Sequence, residues 1–212
     1  SENTPYNMEN TPENLDQLCN IVKDFIDKQT IDHGKILNIN VNISGRVNPE
    51  SGYSYSIFYF DENPLSEVLS QKIGYQVSVD NDTRAMTYGE YLSGSVNHEK
   101  NILFVNISWG LAIGIIINGE IYSGKSGFSG EFGHIQAFDN EVLCHCGKKG
   151  CLETEASGSA MYRHLFEEVQ AGTSSILSKK IQEKKKITLQ DIMNAISQED
   201  ILCIDLVEEA GL

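Results

Sequence analysis

Apolar residues fall into two rhythms along this chain. Leu15, Leu18, Ile21, Val22, Phe25 and Ile26 recur at helical spacing. Thr11 precedes them as a candidate N-cap and Pro12 suits the first helical turn. The helix is expected to run from there to a stop at His33-Gly34. Ile36 to Ile43 alternates apolar and polar residues, the period of a half-buried strand. A Gly/Pro-rich stretch, residues 44–52, reads as loop. Leu65 to Lys72 reads as helix and Tyr75 to Val79 as strand. Asn81-Asp82 then leads into a helix over Thr83 to Leu92, and 93–97 reads as a hinge-like break. Two apolar strands follow, Ile102 to Ile107 and Leu111 to Ile117. Asn118-Gly119 joins the second to Glu120-Ile121-Tyr122, a two-residue hairpin signal. Residues 123–151 are glycine-rich and irregular, and helices are expected from Gly158 onward. Residues 1–11 read as extended or disordered. Alternating strands and helices make the class α/β. The break near 93 divides the chain into two expected parts, 1–93 and 94–212.

Composition narrows the function classes. The chain has 212 residues, 40% hydrophobic and 22% charged, an ordinary globular balance with room for a sizeable core. Its formal net charge of -14 disfavours unaided contact with a nucleic-acid backbone or an anionic membrane. The apolar run Leu111 to Ile117 is strand-length, too short to cross a bilayer. Lysines 179, 180 and 184–186 read as a solvated helical face rather than a nucleic-acid patch. The start Ser1-Glu2-Asn3, without Met, reads as trimmed.

Five cysteines are present, and three crowd into Cys144-His145-Cys146-Gly147-Lys148-Lys149-Gly150-Cys151, a C-x-C-G-x-x-G-C loop. Two glycines let a short loop fold back so that three thiolates converge, and a closed structural zinc site needs four nitrogen or sulfur ligands. The pattern suits metal ligation in a reducing cytoplasm better than a disulfide framework. The fourth ligand is His134 or His145. His145 lies between two ligands and is expected to point away, so His134 is preferred. Cys19 and Cys203 fall on apolar helical faces and read as core.

Gly127-Phe128-Ser129-Gly130-Glu131-Phe132-Gly133-His134, the cysteine loop and Leu152-Glu153 together resemble the ROK family of repressors, open reading frames and sugar kinases. Ser44 to Gly52 resembles its sugar-side loop, Val79-Asp80-Asn81-Asp82 its V-x-N-D motif, and Ile115 to Gly124 its strand and hairpin. The resemblance covers nearly the whole chain and is nearest to the sugar-responsive repressors of the N-acetylglucosamine and xylose type. It implies an actin-like, ribonuclease-H-like two-lobed fold with a sugar or amino-sugar in the cleft, apparently truncated here at both ends. It implies sugar contacts at Gly45, Asn81, Asp82, Glu131, His134 and Glu153, with His134 also a zinc ligand beside Cys144, Cys146 and Cys151. Taken alone, Asn81-Asp82 is a helix cap, Glu131 an exposed loop acid and Glu153 an acid favoured by a helix dipole.

Kinases of the family resemble other actin-like kinases in a D-x-G-x-T start and a later G-T-G turn that hold ATP and Mg²⁺. This chain contains no D-x-G-x-T and reads Ser108-Trp109-Gly110 at the second position. The expectation is therefore the effector-binding region of a bacterial, cytoplasmic regulator. It would be dimeric or tetrameric and would reach DNA only through a helix-turn-helix absent from this chain. The alternative is an ATP-dependent sugar kinase with Asp82 as general base.

Overall fold

The computed structural model describes residues 4, 6, 9–94, 96 and 99–211. Ser95 and Asn97 of the expected hinge, and most of residues 1–8, lie outside that set. The chain forms two compact units, Ser1–Leu103 with Gly114–Ser129, and Phe104–Ile113 with Gly130–Leu212.

The first unit begins with α1 (Pro12–Asp27), capped as expected: the Thr11 hydroxyl accepts the Asn14 N–H and Pro12 sits in the first turn. The helix ends where its apolar rhythm ends, after Ile26, not at His33. Asp32 instead caps a separate 3₁₀ turn, His33–Lys35. Strand β1 (Ile39–Ile43) starts three residues later than the alternation suggests, and Leu37 stays 86% exposed. The glycine-rich stretch is not all loop. It holds β2 (Val47–Asn48), which pairs antiparallel with β3 (Tyr53–Ser54). Helix α2 (Leu65–Ile73) ends at Gly74 in the left-handed region. Strand β4 (Val77–Asn81) runs parallel to β1 with Ile43 opposite Asn81, and α3 (Asp82–Ser93) follows directly. Leu15 and Cys19 of α1, Ile43 of β1, Leu69 of α2 and Val79 of β4 meet in one core.

Strands β5 (Ile102–Ile107), β6 (Leu111–Ile117) and β7 (Glu120–Ile121) form a three-stranded sheet in that order. The division between the units falls inside β5 and β6. Asn118 and Gly119 both take positive φ, 54° and 87°, which the predicted two-residue hairpin demands.

The second unit carries a 3₁₀ turn at Phe132–His134 and the helices α4 (Glu153–Ala156), α5 (Gly158–Ala171), α6 (Ser178–Gln182), α7 (Leu189–Ile196) and α8 (Ile201–Gly211). Leu165, Ile192 and the fully buried Cys203 anchor its core. Burial pushes the Cys203 thiol up to about 12 and also raises Cys19, so both thiols are inert packing groups, as their helical faces suggest. Only two of the five clustered lysines sit on a helix: α6 stops at Gln182. Lys180 is paired with Asp191 at 2.7 Å rather than simply solvated. Among the described residues, no helix is long and apolar enough to cross a membrane.

Candidate functional site

In the first unit, the parallel pairing of β1 with β4 sets Ser44-Gly45 beside Asn81-Asp82 at the carboxyl ends of both strands. Ligands of open α/β sheets gather at that end. Asn81 caps α3 by accepting the Arg84 N–H at 3.0 Å and donates its amide to the Gly45 carbonyl at 2.9 Å. It therefore both caps and ties the loop. The Ser44 hydroxyl donates to Asp82 Oδ2 at 2.5 Å, while Asp82 Oδ1 accepts the Thr83 N–H. Gly45, Asn81 and Asp82 are thus brought together, with Ser44 as a partner that sequence reasoning passed over.

Arg84 was also missed. Its side chain is 3% exposed and forks across three segments. Nε donates to Asp80 Oδ1 at 2.7 Å, Nη1 to the Gly127 carbonyl at 2.5 Å and Nη2 to the Val47 carbonyl at 2.8 Å. The only sequence signal is its place in the first turn of α3. A cavity of about 270 Å³ beside Tyr55, Tyr59, Asp61 and Asn63 lies elsewhere in this unit, and no expected site residue lines it.

In the second unit, the donor atoms of His134, Cys144, Cys146 and Cys151 lie within 4.8 Å of one another. Cys144 Sγ is 3.5 Å from His134 Nδ1, and Cys146 Sγ is 3.6 Å from Cys151 Sγ. This set could hold a metal ion. Two short bridges, Gln136 to Cys151 and Leu143 to Lys149, fold the loop back on itself. Gly150 makes the fold possible: its φ is +70°, and a Cβ would strike the Phe138 carbonyl oxygen. Burial is the largest influence on all three thiols. It pushes Cys144 up to about 12 and, with the hydrogen bond to Cys146, raises Cys151. At Cys146 the Lys148 N–H and the two neighbouring thiols outweigh burial and bring the thiol below its usual range.

The other nitrogen of His134, Nε2, faces Glu131 Oε2 at 3.7 Å, so the acid is placed to orient the ring. Glu153, the first residue of α4, is only 8% exposed. Its Oε2 accepts the Leu111 N–H at 2.8 Å, and its Oε1 lies 3.2 Å from His145 Nδ1. His145 stands outside the four-donor set, with its Nδ1 4.0 Å from Cys144 Sγ. Its ring meets His134 edge to face, with centroids 5.2 Å apart.

Trp109 packs on Tyr162 of α5, ring centroids 5.7 Å apart, and remains 51% exposed. The turn beneath it consumes the helix start. Gly158 N–H donates to the Ser108 carbonyl, Ser159 N–H to the Trp109 carbonyl, and Ala160 N–H to the Ser157 hydroxyl. These donors would otherwise be open to an anion.

The sequence model of the ROK family matches residues 3–212. The chain belongs to the ROK family. It is 31% identical over 207 residues to the xylose repressor of Bacillus subtilis (strain 168), covering 95% of this chain and 49% of that protein. It is 30% identical over 206 residues to the DNA-binding transcriptional dual regulator NagC of Escherichia coli (strain K12), covering 96% and 50%. A Streptomyces griseus ROK family glucokinase, solved with glucose and AMPPNP, superposes with TM-score 0.81 at 26% identity, covering 96% of this chain and 65% of that one. The fold is thus the α/β, actin-like fold of the family, and both repressors and kinases are relatives. The chain spans about half the length of the two curated relatives.

Proposed function

We propose that this chain is the sugar-sensing region of a ROK-type transcriptional regulator. The observation that carries this reading is the closed turn at Ser108-Trp109-Gly110. Where a kinase of the family would hold phosphate, an indole stands, and the first three N–H groups of α5 are already bonded to protein. The groups suited to sugar hydroxyls remain: Gly45, Asn81 and Asp82 in one unit, Glu131, His134 and Glu153 in the other. Fixed carboxylates and amides select hydroxyl geometry, and a carboxylate can accept from two adjacent hydroxyls.

The metal in this reading is a structural zinc ion held by His134, Cys144, Cys146 and Cys151. With Zn–S near 2.3 Å, a tetrahedral site has S···S edges of about 3.8 Å and S···N edges of about 3.5 Å. The observed 3.6 and 3.5 Å match. Three thiolates and one imidazole complete the coordination, so the ion would brace the loop and do no chemistry. Five cysteines without a disulfide suit a cytoplasmic protein. DNA contact is assigned to a helix-turn-helix outside these residues, and a homodimer or tetramer would couple sugar binding to its spacing.

The test is titration calorimetry on the full-length protein with D-xylose, D-glucose, N-acetyl-D-glucosamine and their phosphates, beside a coupled assay for ADP. Binding without ATP consumption is expected. Sugar-dependent ADP release at ordinary kinase rates would overturn the reading.

A second reading, an ATP-dependent sugar kinase with Mg²⁺, is favoured by Asp82. It sits at the strand ends with a hydroxyl already donating to it, as a general base for an attacking hydroxyl would. Asp82→Asn separates the two. A kinase loses turnover by orders of magnitude while still binding sugar, whereas a sensor changes in affinity alone.

A further inference from the structure

The cavity of about 270 Å³ in the first unit has no part in the sugar-sensing reading. Its size falls just under that of sites for drug-sized ligands, about 300–1,000 Å³, so it suits a small head group. The end of β3 forms one wall. Ser54 turns inward at 5% exposure, which leaves Tyr53 and Tyr55 together on the other face, ring centroids 6.3 Å apart. Phe58 and Tyr59 line the cavity from the following loop. Phe58 holds a positive φ of 55°, uncommon for a bulky residue, and its N–H is fixed by Asn10 Oδ1 at 2.5 Å. This wall is therefore set before any ligand arrives, which lowers the cost of binding.

The chemistry of the lining is one-sided. No Lys, Arg or His contributes to it. The Tyr53 hydroxyl donates to the Glu62 carbonyl at 3.1 Å and the Asn63 amide nitrogen to Asp61 Oδ1 at 3.0 Å, so those donors are spent. What remains is the Asn63 amide oxygen, the second oxygen of Asp61 and the tyrosine rings, with the hydroxyls of Tyr55 and Tyr59 able to accept as well. The Asn63 N–H and amide hold the Asp61 carboxyl below its usual range. Lys72, the cation whose field reaches Asp61, is itself paired with Asp16 at 2.7 Å. An ionised acid beside electron-rich ring faces is complementary to a cation.

We propose that this cavity binds a small organic ammonium group, its charge met by Asp61 and its methyl or methylene groups by the rings of Tyr55 and Tyr59. These residues are distinct from the sugar groups, so the proposal stands whether the protein is a sensor or a kinase.

The test is a ligand-observed NMR titration of the full-length protein with tetramethylammonium chloride and with tert-butanol, a neutral molecule of similar shape. The ammonium should bind in the millimolar range and the alcohol several-fold more weakly. Asp61→Asn keeps the acceptor for the Asn63 N–H and should weaken the ammonium by about two- to fivefold, the worth of an exposed charge pair. Tyr59→Leu should cost a similar factor and Tyr59→Phe much less, because the ring face and not the hydroxyl makes the contact. No detectable ammonium binding at tens of millimolar, equal binding of tert-butanol, or wild-type affinity in Asp61→Asn or in Tyr59→Leu overturns the proposal.

Discussion

Removing Arg84 tests the geometry of the first unit without any assumption about ligand. Its guanidinium is 3% exposed and donates to the carbonyls of Val47 and Gly127 and to the Asp80 carboxylate. Arg84→Ala would leave two carbonyls without their donor, at about 1–3 kcal/mol each for buried groups. Breaking a buried ion pair by deleting one partner costs about 3–5 kcal/mol. These costs overlap, because the same side chain makes all the bonds. Asp80 is 32% exposed, so water can re-solvate part of its charge. The loss should therefore be about 3–4 kcal/mol. For a chain of this size that corresponds to roughly 6–16 °C in the melting temperature. Urea unfolding followed by circular dichroism, with thermal melts beside it, measures both. Arg84→Lys should recover less than half of the loss, since an ammonium cannot fork to two carbonyls and a carboxylate at once. Asp80→Asn should cost less than Arg84→Ala, because its amide oxygen still accepts from Nε. A loss under about 1 kcal/mol for Arg84→Ala would refute the clamp: the two carbonyls would then be finding water, and the fork would carry no energy.

The cysteine loop and the carboxylates each give one further test. Cys146→Ser should abolish stoichiometric zinc and lower stability and sugar affinity together. Sugar affinity that survives metal loss would break the proposed link between the braced loop and the ligand groups. Asp191 is held down at about 2, first by the Lys180 ammonium and then by the Thr188 N–H and hydroxyl. A depressed carboxyl stabilises the fold above its unfolded value near 3.9, and that contribution fades as pH falls from about 4 to about 2. Urea midpoints of Asp191→Asn should therefore fall less steeply than wild type across that window; identical slopes would refute the assignment.

What could be read from the sequence was local. The hairpin at Asn118-Gly119 was legible because adjacent positive φ angles call for those residue types. The capped start of α1 was legible because Thr11 and Pro12 act within one turn. Three metal-type donors lie within eight residues, and their chemistry narrows the possibilities before any fold is known. Element ends set by a distant partner were not legible. Strand β1 begins at Ile39 because its ladder with β4 begins at Val77, and nothing near Ile36 or Leu37 says so. Strands β2 and β3 are two residues each and exist only as a pair.

The same distinction explains the site. Residue types announced which groups could serve a ligand, but what each group does depends on which chain segment returns to it. Glu153 reads alike in sequence whether it faces ligand or interior; the return of Leu111 to its Oε2 and of His145 to its Oε1 makes it an enclosed acid. Arg84 carries no motif of its own, and the approach of Val47 and Gly127 supplies the carbonyls that hold it inside. In both cases a charged side chain is buried because backbone groups converge on it, which fits the rule that buried charge is tolerated where its hydrogen bonds are made. The convergence also has a functional direction. In the first unit the bonds tie the segment at Val47 and Gly127 to α3, so the loop holding Ser44 and Gly45 and the turn holding Asn81 and Asp82 share one support. A variant that loosens Arg84 should therefore disturb Asp82 without touching it, through Ser44 and the Gly45 carbonyl that Asn81 holds.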